Sequence, residues 1–198
     1  MCRFIETIRV DDGKIANLPF HLQRIRDTRM QVWGVAESID VETLAKSLAP
    51  IKGTAKLRFV YDATQVYESS CTPYTKRVVR SLKVVEDEQI AYALKSEDRC
   101  RLNQLRNRRG DCDEILVVKN GHLTDTSYTN VAFYDGKQWV TPTTPLLPGT
   151  CRARLLASRR MVERDLTLDD LPHFQSIALI NAMMDLGETV LPVASILW

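Results

Sequence analysis

The stretch DEILVVKNGHLTDTSYTNVAF (residues 113–133) sets the architecture. DEILVVK is a short apolar strand, Asn120-Gly121 is a hairpin signal, and HLTD begins the return. NVAFYDG and KQWVT continue the same pattern through a second turn, at Asp135-Gly136. This is a meander of short strands rather than a chain of βαβ units. Working outward, YALKSEDRCRLNQL (92–105) places Lys95 before a charged run that predicts a helix at about 97–109. Downstream, the proline-rich loop TPTTPLLPG opens a predicted helix, TCRARLLASRRMVERD. A short helix at TLDDL and strands at SIALIN and VLPVASI complete that half.

The first half reads as a second α+β unit. RFIETIRV alternates as a strand, DDG turns, and KIAN returns. Asn17 is placed to cap a helix, with Pro19 in its first turn and Gly34 as its stop. Leu18, Leu22, Ile25 and Val32 supply its apolar stripe. A second helix is expected over 41–49, followed by strands at KLRFVYD, QVYESS and VVRSLKVVE. The pattern breaks at EDEQIAYALK, which predicts a smaller lobe at 1–88 and a larger lobe at 89–198 carrying Lys95. The class is therefore α+β. No G-x-G-x-x-G or P-loop pattern occurs, and the strand–helix spacing is not that of a Rossmann fold.

The 198 residues are 44 % hydrophobic and 26 % charged, with a net charge of +2, as expected of a soluble globular protein. No apolar run is long enough for a membrane span, and MCRFIETIRV lacks the core of a signal peptide. The basic clusters LRNRRG and SRR carry no aromatic platform or nucleic-acid motif, so they read as solvated helix ends. Five scattered cysteines and three dispersed histidines show no zinc spacing, which predicts no metal and a reduced, cytoplasmic setting.

Six segments in order carry a resemblance: ETIRVDDGK, HLQRI, LKSEDR, DEILVVKNGHLTDTSYTNVAF, LLPGTCR and ALINAMMDLGETVLPV. Together they resemble the class IV aminotransferase family, whose members use pyridoxal 5'-phosphate (PLP) and have the two-lobe D-amino-acid aminotransferase-like fold. The resemblance implies that Lys95 is the Schiff-base lysine and that Asp125 pairs with the pyridine nitrogen. It implies phosphate contacts from Arg24, Gly149, Thr150, Cys151, Asn181 and Ala182, and places Leu147 against the ring. Thr7 and Arg9, on the first strand, become candidates for the substrate face. It further implies a small-molecule amine substrate, a homodimer, and neither nucleic-acid nor membrane partners.

These residue types suit the chemistry. A lysine in a partly dry pocket is a nucleophile and a proton carrier. A buried carboxylate needs a cationic partner, which a protonated ring nitrogen supplies. An arginine fork and a helix N-terminus both suit a phosphate. Local alternatives exist for each: Lys95 as surface charge, with Lys119 its nearest competitor; Asp125 as a cap of the DTSYTN turn; Arg24 as a surface arginine; and the proline loop as a helix cap without a ligand. Asp125 stands where the family carries glutamate, and Cys151 where it carries a hydroxyl, whose role Thr150 could take over. The tyrosine expected near the ring's phenolic oxygen is absent at Cys100, with Arg99 beside it. The family's usual N-terminal strand pair does not precede RFIETIR, so the fold is expected to be N-terminally shortened. Asn181-Ala182 and the Lys-x-x-Asp-Arg of 95–99 resemble the 4-amino-4-deoxychorismate lyases of the family more than its branched-chain or D-amino-acid aminotransferases. The implied activity is elimination of pyruvate to give 4-aminobenzoate, with aminotransfer to a 2-oxo acid as the alternative.

Overall fold

A computed structural model describes residues 2–48 and 50–198. It divides into two compact units, Met1–Lys76 with Leu94–Asp98, and Arg77–Ala93 with Arg99–Trp198.

The N-terminal unit is an antiparallel sheet with helices on one face. Its strands are β1 (Phe4–Asp11), β2 (Lys14–Ile15), β3 (Thr54–Tyr61) and β4 (Val66–Pro73), in the order β2-β1-β3-β4. Asp12 and Gly13, both with positive φ, make the β1–β2 turn. The inward residues Phe4, Ile8 and Val10 of β1 pack with Ala55, Leu57, Phe59 and Tyr61 of β3. Helix α1 (Leu18–Trp33) adds Ile25, and helix α2 (Val41–Lys46) adds Val41. Pro19 lies in the first turn of α1, and Gly34 ends it in the left-handed region. Asn17 occupies the N-cap position, but its side chain bonds no helix amide, because its backbone is itself left-handed (φ 55°). The buried face of α1 is His21, Ile25, Thr28 and Arg29, while Leu18, Leu22 and Val32 are only partly buried. The predicted helix over 41–49 stops at Lys46, and Ala49 lies outside the described residues.

Residues 94–98 join this unit along the edge of β1. Ile5 N donates to Lys95 O (2.9 Å), Glu97 N donates to Arg3 O (2.9 Å), and Phe4 bridges Ser96. The expected division at 88/89 is therefore corrected in two respects. Lys95 lies with the N-terminal unit rather than the larger one. Residues 77–88 belong to the C-terminal unit, because the strand they contain pairs there.

In the C-terminal unit that strand, β5 (Leu82–Glu86), runs parallel to β6 (Glu114–Lys119), which turns through Asn120-Gly121 into β7 (His122–Leu123). Both turn residues have positive φ (50° and 78°), the conformation for which Asn-Gly is selected. Helix α3 (Cys100–Asn107) starts later than the sequence predicts, since 94–98 are engaged with β1. Leu102 and Leu105 of α3 pack on Ile115 and Val117 of β6. The second sheet has β8 (Asn130–Tyr134) and β9 (Trp139–Pro142), joined through Asp135-Gly136. Helix α4 (Thr150–Ala157) is half the predicted length. Arg159 turns left-handed (φ 55°), and β10 (Val162–Arg164) runs parallel to β9 instead of extending the helix. β11 (Ser176–Ile180) and β12 (Val190–Pro192) complete the order β10-β9-β8-β11-β12. The VLPVASI segment does not remain one strand. Its end, β13 (Ile196–Leu197), crosses to β5. The α+β class holds for both units.

Candidate active site

In the N-terminal unit the feature of most consequence is a buried ion cluster that alternation along β1 does not announce. Glu6 is on the inward face, between Phe4 and Ile8, and has no exposed surface. One turn of α1 presents His21 and Arg24 to it. Arg24 donates Nε to Oε1 (2.8 Å) and Nη2 to Oε2 (2.6 Å), while His21 Nδ1 lies 2.7 Å from Oε2. Burial alone would raise the carboxyl, but Arg24 and His21 outweigh it and hold Glu6 down at about 2. The guanidinium expected to meet a phosphate is thus fixed in place by a carboxylate through two of its three nitrogens.

Lys95 is half-buried on the 94–98 segment. The Phe4–Ser96 bridge sets Lys95 opposite Ile5, on the sheet face that also carries Thr7 and Arg9. Leu94, its neighbour, turns to the core instead. Thr7 and Arg9 are both half-buried. Arg9 Nε is held by both oxygens of Asp11 (3.1 and 2.9 Å), which also accepts from Thr54 Oγ1 (2.6 Å).

The C-terminal unit gathers the other predicted residues around Asp125. This carboxyl is buried in the link between the two sheets, where Val117 N donates to Asp125 O and Asp125 bridges Asn130. Asn130 Nδ2 donates to Oδ1 (2.8 Å) and Leu147 N donates to Oδ2 (3.0 Å). No ion pair forms with it among the described residues; burial pushes it up to about 7, opposed by the bonds from Asn130 and Leu147 and by the charge of Arg152. It does not cap the DTSYTN turn. That task falls to Thr126, whose Oγ1 accepts from Tyr128 N (3.2 Å) and Thr129 N (2.9 Å). The Asp125 side chain is thereby left to face the 147–149 loop.

Gly149 serves a purpose other than the expected approach of an anion. A Cβ there would fall 2.0 Å from Asn130 Oδ1, so the close neighbour that excludes a side chain is Asn130. Its φ of −71° needs no glycine. Leu147 is half-buried and packs at the edge of the α3–β6 core. Thr150 and Cys151 open α4, whose N-cap Gly149 provides no side-chain bond, so the first-turn amides suit an anion. The Cys151 thiol turns inward instead, toward Met184 O (3.7 Å) and Asp185 Oδ1 (3.9 Å). Burial, then Asp185, push it up to about 11. Cys151 can therefore offer a phosphate only its backbone amide, which leaves the hydroxyl role to Thr150.

Asn181 and Ala182 form a tight turn. Asn181 exchanges backbone bonds with Met184, and its Oδ1 accepts from Met183 N (2.8 Å). Arg99 donates to Tyr92 Oη (3.1 Å) and to Ser127 O (2.7 Å), fixing its guanidinium two residues from Asp125. Sequence reasoning missed Asn130 and Glu6. A polar residue at a core position of an otherwise apolar strand is the signal for Glu6; Asn130 gave none beyond opening a strand after a turn. Among the described residues, no cluster of His, Cys, Asp and Glu could hold a metal ion, and no helix is long and apolar enough to cross a membrane.

Comparison with known proteins identifies relatives of the whole chain. The family model for amino-transferase class IV matches residues 3–196. An uncharacterized protein of Haemophilus influenzae is 34 % identical over 186 residues, covering 92 % of this chain and 98 % of that protein. A Schizosaccharomyces pombe protein, named provisionally as an aminodeoxychorismate lyase, is 25 % identical over 202 residues, covering 91 % of this chain and 86 % of its own length. Among solved structures, one from Haemophilus somnus 129PT, described provisionally as a 4-amino-4-deoxychorismate lyase, superposes with a TM-score of 0.87 at 32 % identity. It covers 94 % of this chain and 98 % of that one. The chain belongs to the class IV aminotransferase family.

Proposed function

We propose that the protein is a PLP-dependent lyase that eliminates pyruvate from 4-amino-4-deoxychorismate to leave 4-aminobenzoate. The observation that carries the cofactor reading is Asp125: a buried carboxyl that accepts from neutral donors and, among the described residues, forms no direct ion pair, the nearest influence being the more distant charge of Arg152. A protonated pyridine nitrogen is the kind of partner such a group lacks. Arg24, the first-turn amides of Thr150 and Cys151, and the Asn181–Ala182 turn are suited to the phosphate. Leu147 supplies an apolar surface for the ring. The residues present fit the group.

When bound, PLP serves as an electron sink for the carbon that bears the substrate amine. Lys95 would supply the amine that holds the cofactor and the base that removes the proton from that carbon. The C–O bond to the enolpyruvyl group breaks, and the departing enolpyruvate takes up a proton to become pyruvate. The ring left behind is aromatic, so the protein's share is orientation and proton transfer. Asp125, held by Asn130 and Leu147, would partner the ring nitrogen, and Arg24, fixed by Glu6, would offer its guanidinium to the phosphate in one orientation. Thr7 and Arg9, on the same sheet face as Lys95, are the candidates to meet the substrate.

The lyase reading is favoured over aminotransfer by Asn181-Ala182, by the Lys-x-x-Asp-Arg of 95–99, and by the provisional names of two relatives. Aminotransfer to a 2-oxo acid from a branched-chain or D-amino acid would use the same lysine, carboxylate and arginine. Five free cysteines suit a reducing cytoplasm. A visible absorbance band on addition of PLP, lost in Lys95→Ala, is the expected result; a protein that stays colourless and binds no PLP overturns the cofactor reading.

A further inference from the structure

Asn130 touches each of the three C-terminal positions assigned above to the ring and its loop. It is the first residue of β8 and is buried. One amide hydrogen goes to Asp125 Oδ1 and the other to Leu147 O, both at 2.8 Å. Leu147 N returns to Asp125 Oδ2 at 3.0 Å, closing a cycle of three residues. The amide oxygen sits against Gly149, in the space a side chain there would need. Flipping the amide would set its oxygen against a carboxylate oxygen and a carbonyl, two acceptors, so the donors fix its orientation. Asp125 cannot turn about its terminal torsion without losing a bond on each oxygen. Each oxygen still has acceptor capacity for one further donor.

We infer that Asn130 is a positioning residue: it locks the Asp125 carboxyl and the 147–149 backbone into one arrangement that receives the cofactor ring. The inference rests on the PLP reading above. Asn130 does not meet the reacting atoms. It acts by presenting the carboxyl in a fixed direction and by keeping Leu147 and Gly149 in register with it. The burial that pushes Asp125 upward makes the two donors matter, since they favour the ionised form that pairs with a ring N–H.

The test uses apoprotein with labelled aspartate carboxyls, as wild type, Asn130→Leu and Asn130→Ala. The titration midpoint of Asp125, followed by carbon NMR, should rise by about one pH unit when the amide donor is lost. The same proteins are titrated with PLP and with its deaza analogue, in which CH replaces the ring nitrogen. Wild type should prefer PLP by about tenfold or more, and the preference should collapse to about unity in Asn130→Leu, as in Asp125→Ala. A merely structural asparagine would weaken both ligands equally and leave the midpoint unmoved, which overturns the inference. If wild type binds neither ligand, the cofactor reading fails, and the midpoint alone decides the positioning role: a rise keeps it, no rise ends it. If Asn130→Leu does not fold, Asn130→Ala carries the same comparison.

Discussion

Replacing Glu6 by glutamine removes one charge from the centre of the N-terminal unit and leaves the shape nearly unchanged. In the wild type the carboxyl titrates at about 2 rather than 4.5. At about 1.4 kcal/mol per pH unit, that difference is worth roughly 3 kcal/mol of stability at neutral pH. The folded value is the depressed one, so this contribution is complete above 4.5 and disappears as pH falls through about 2. Glu6→Gln also leaves the largely buried Arg24 guanidinium without its anion, and breaking a buried pair costs about 3–5 kcal/mol. The assay is urea unfolding of wild type and Glu6→Gln at a series of pH values from 7 to 2. The variant should be less stable by about 3–5 kcal/mol at pH 7, and the gap should narrow as pH falls below about 4.5. A gap under about 0.5 kcal/mol, or one that does not change with pH, refutes the ionised, paired state of Glu6.

Asp125 has the opposite sign. Its folded carboxyl is raised from 3.8 to about 7, so its favourable term is complete below 3.8 and is lost as pH rises through about 7. In apoprotein, the stability of Asp125→Asn relative to wild type should therefore rise by up to about 4 kcal/mol between pH 4 and pH 8, on top of a pH-independent cost for setting an amide nitrogen against Asn130 Nδ2 or Leu147 N; unfolding curves at the two pH values check this. Gly149→Ala should cost about 1–3 kcal/mol and weaken PLP binding, because the new methyl meets Asn130 Oδ1; thermal unfolding and a PLP titration measure both. Alkylation at pH 8, followed by mass mapping, should label the exposed Cys2 and Cys100 rapidly and spare Cys151, whose thiol is buried and pushed up to about 11.

What could be read in the sequence was local. The alternation of FIETIRVD, the Asn120-Gly121 and Asp135-Gly136 turns and the Gly34 stop depend on neighbours a few residues apart, and each is found in the structure. The misreadings concern partners far along the chain. Nothing near residues 94–98 indicates that their backbone pairs with β1, nor that β5 lies beside β6 with α3 in between. The helix expected to run on from Thr150 ends because its last third finds an edge on β9, a tertiary preference that overrides helix propensity. The candidate site divides the same way. Lys95, Arg24 and Asp125 were legible through motif order. Glu6, a polar residue on the core face of β1, is marked in the sequence only as an exception to the alternation; that it fixes Arg24, and that Asn130 fixes Asp125, is seen in their hydrogen bonds.

The central claim is elimination on a lysine-held cofactor, and one incubation addresses it directly. PLP-loaded protein is given 4-amino-4-deoxychorismate with no amino acceptor, and both products are measured. The account predicts 4-aminobenzoate and pyruvate in equal amounts, and neither from Lys95→Ala. Absence of both from wild type, or turnover only when an amino acid and a 2-oxo acid are supplied, contradicts it.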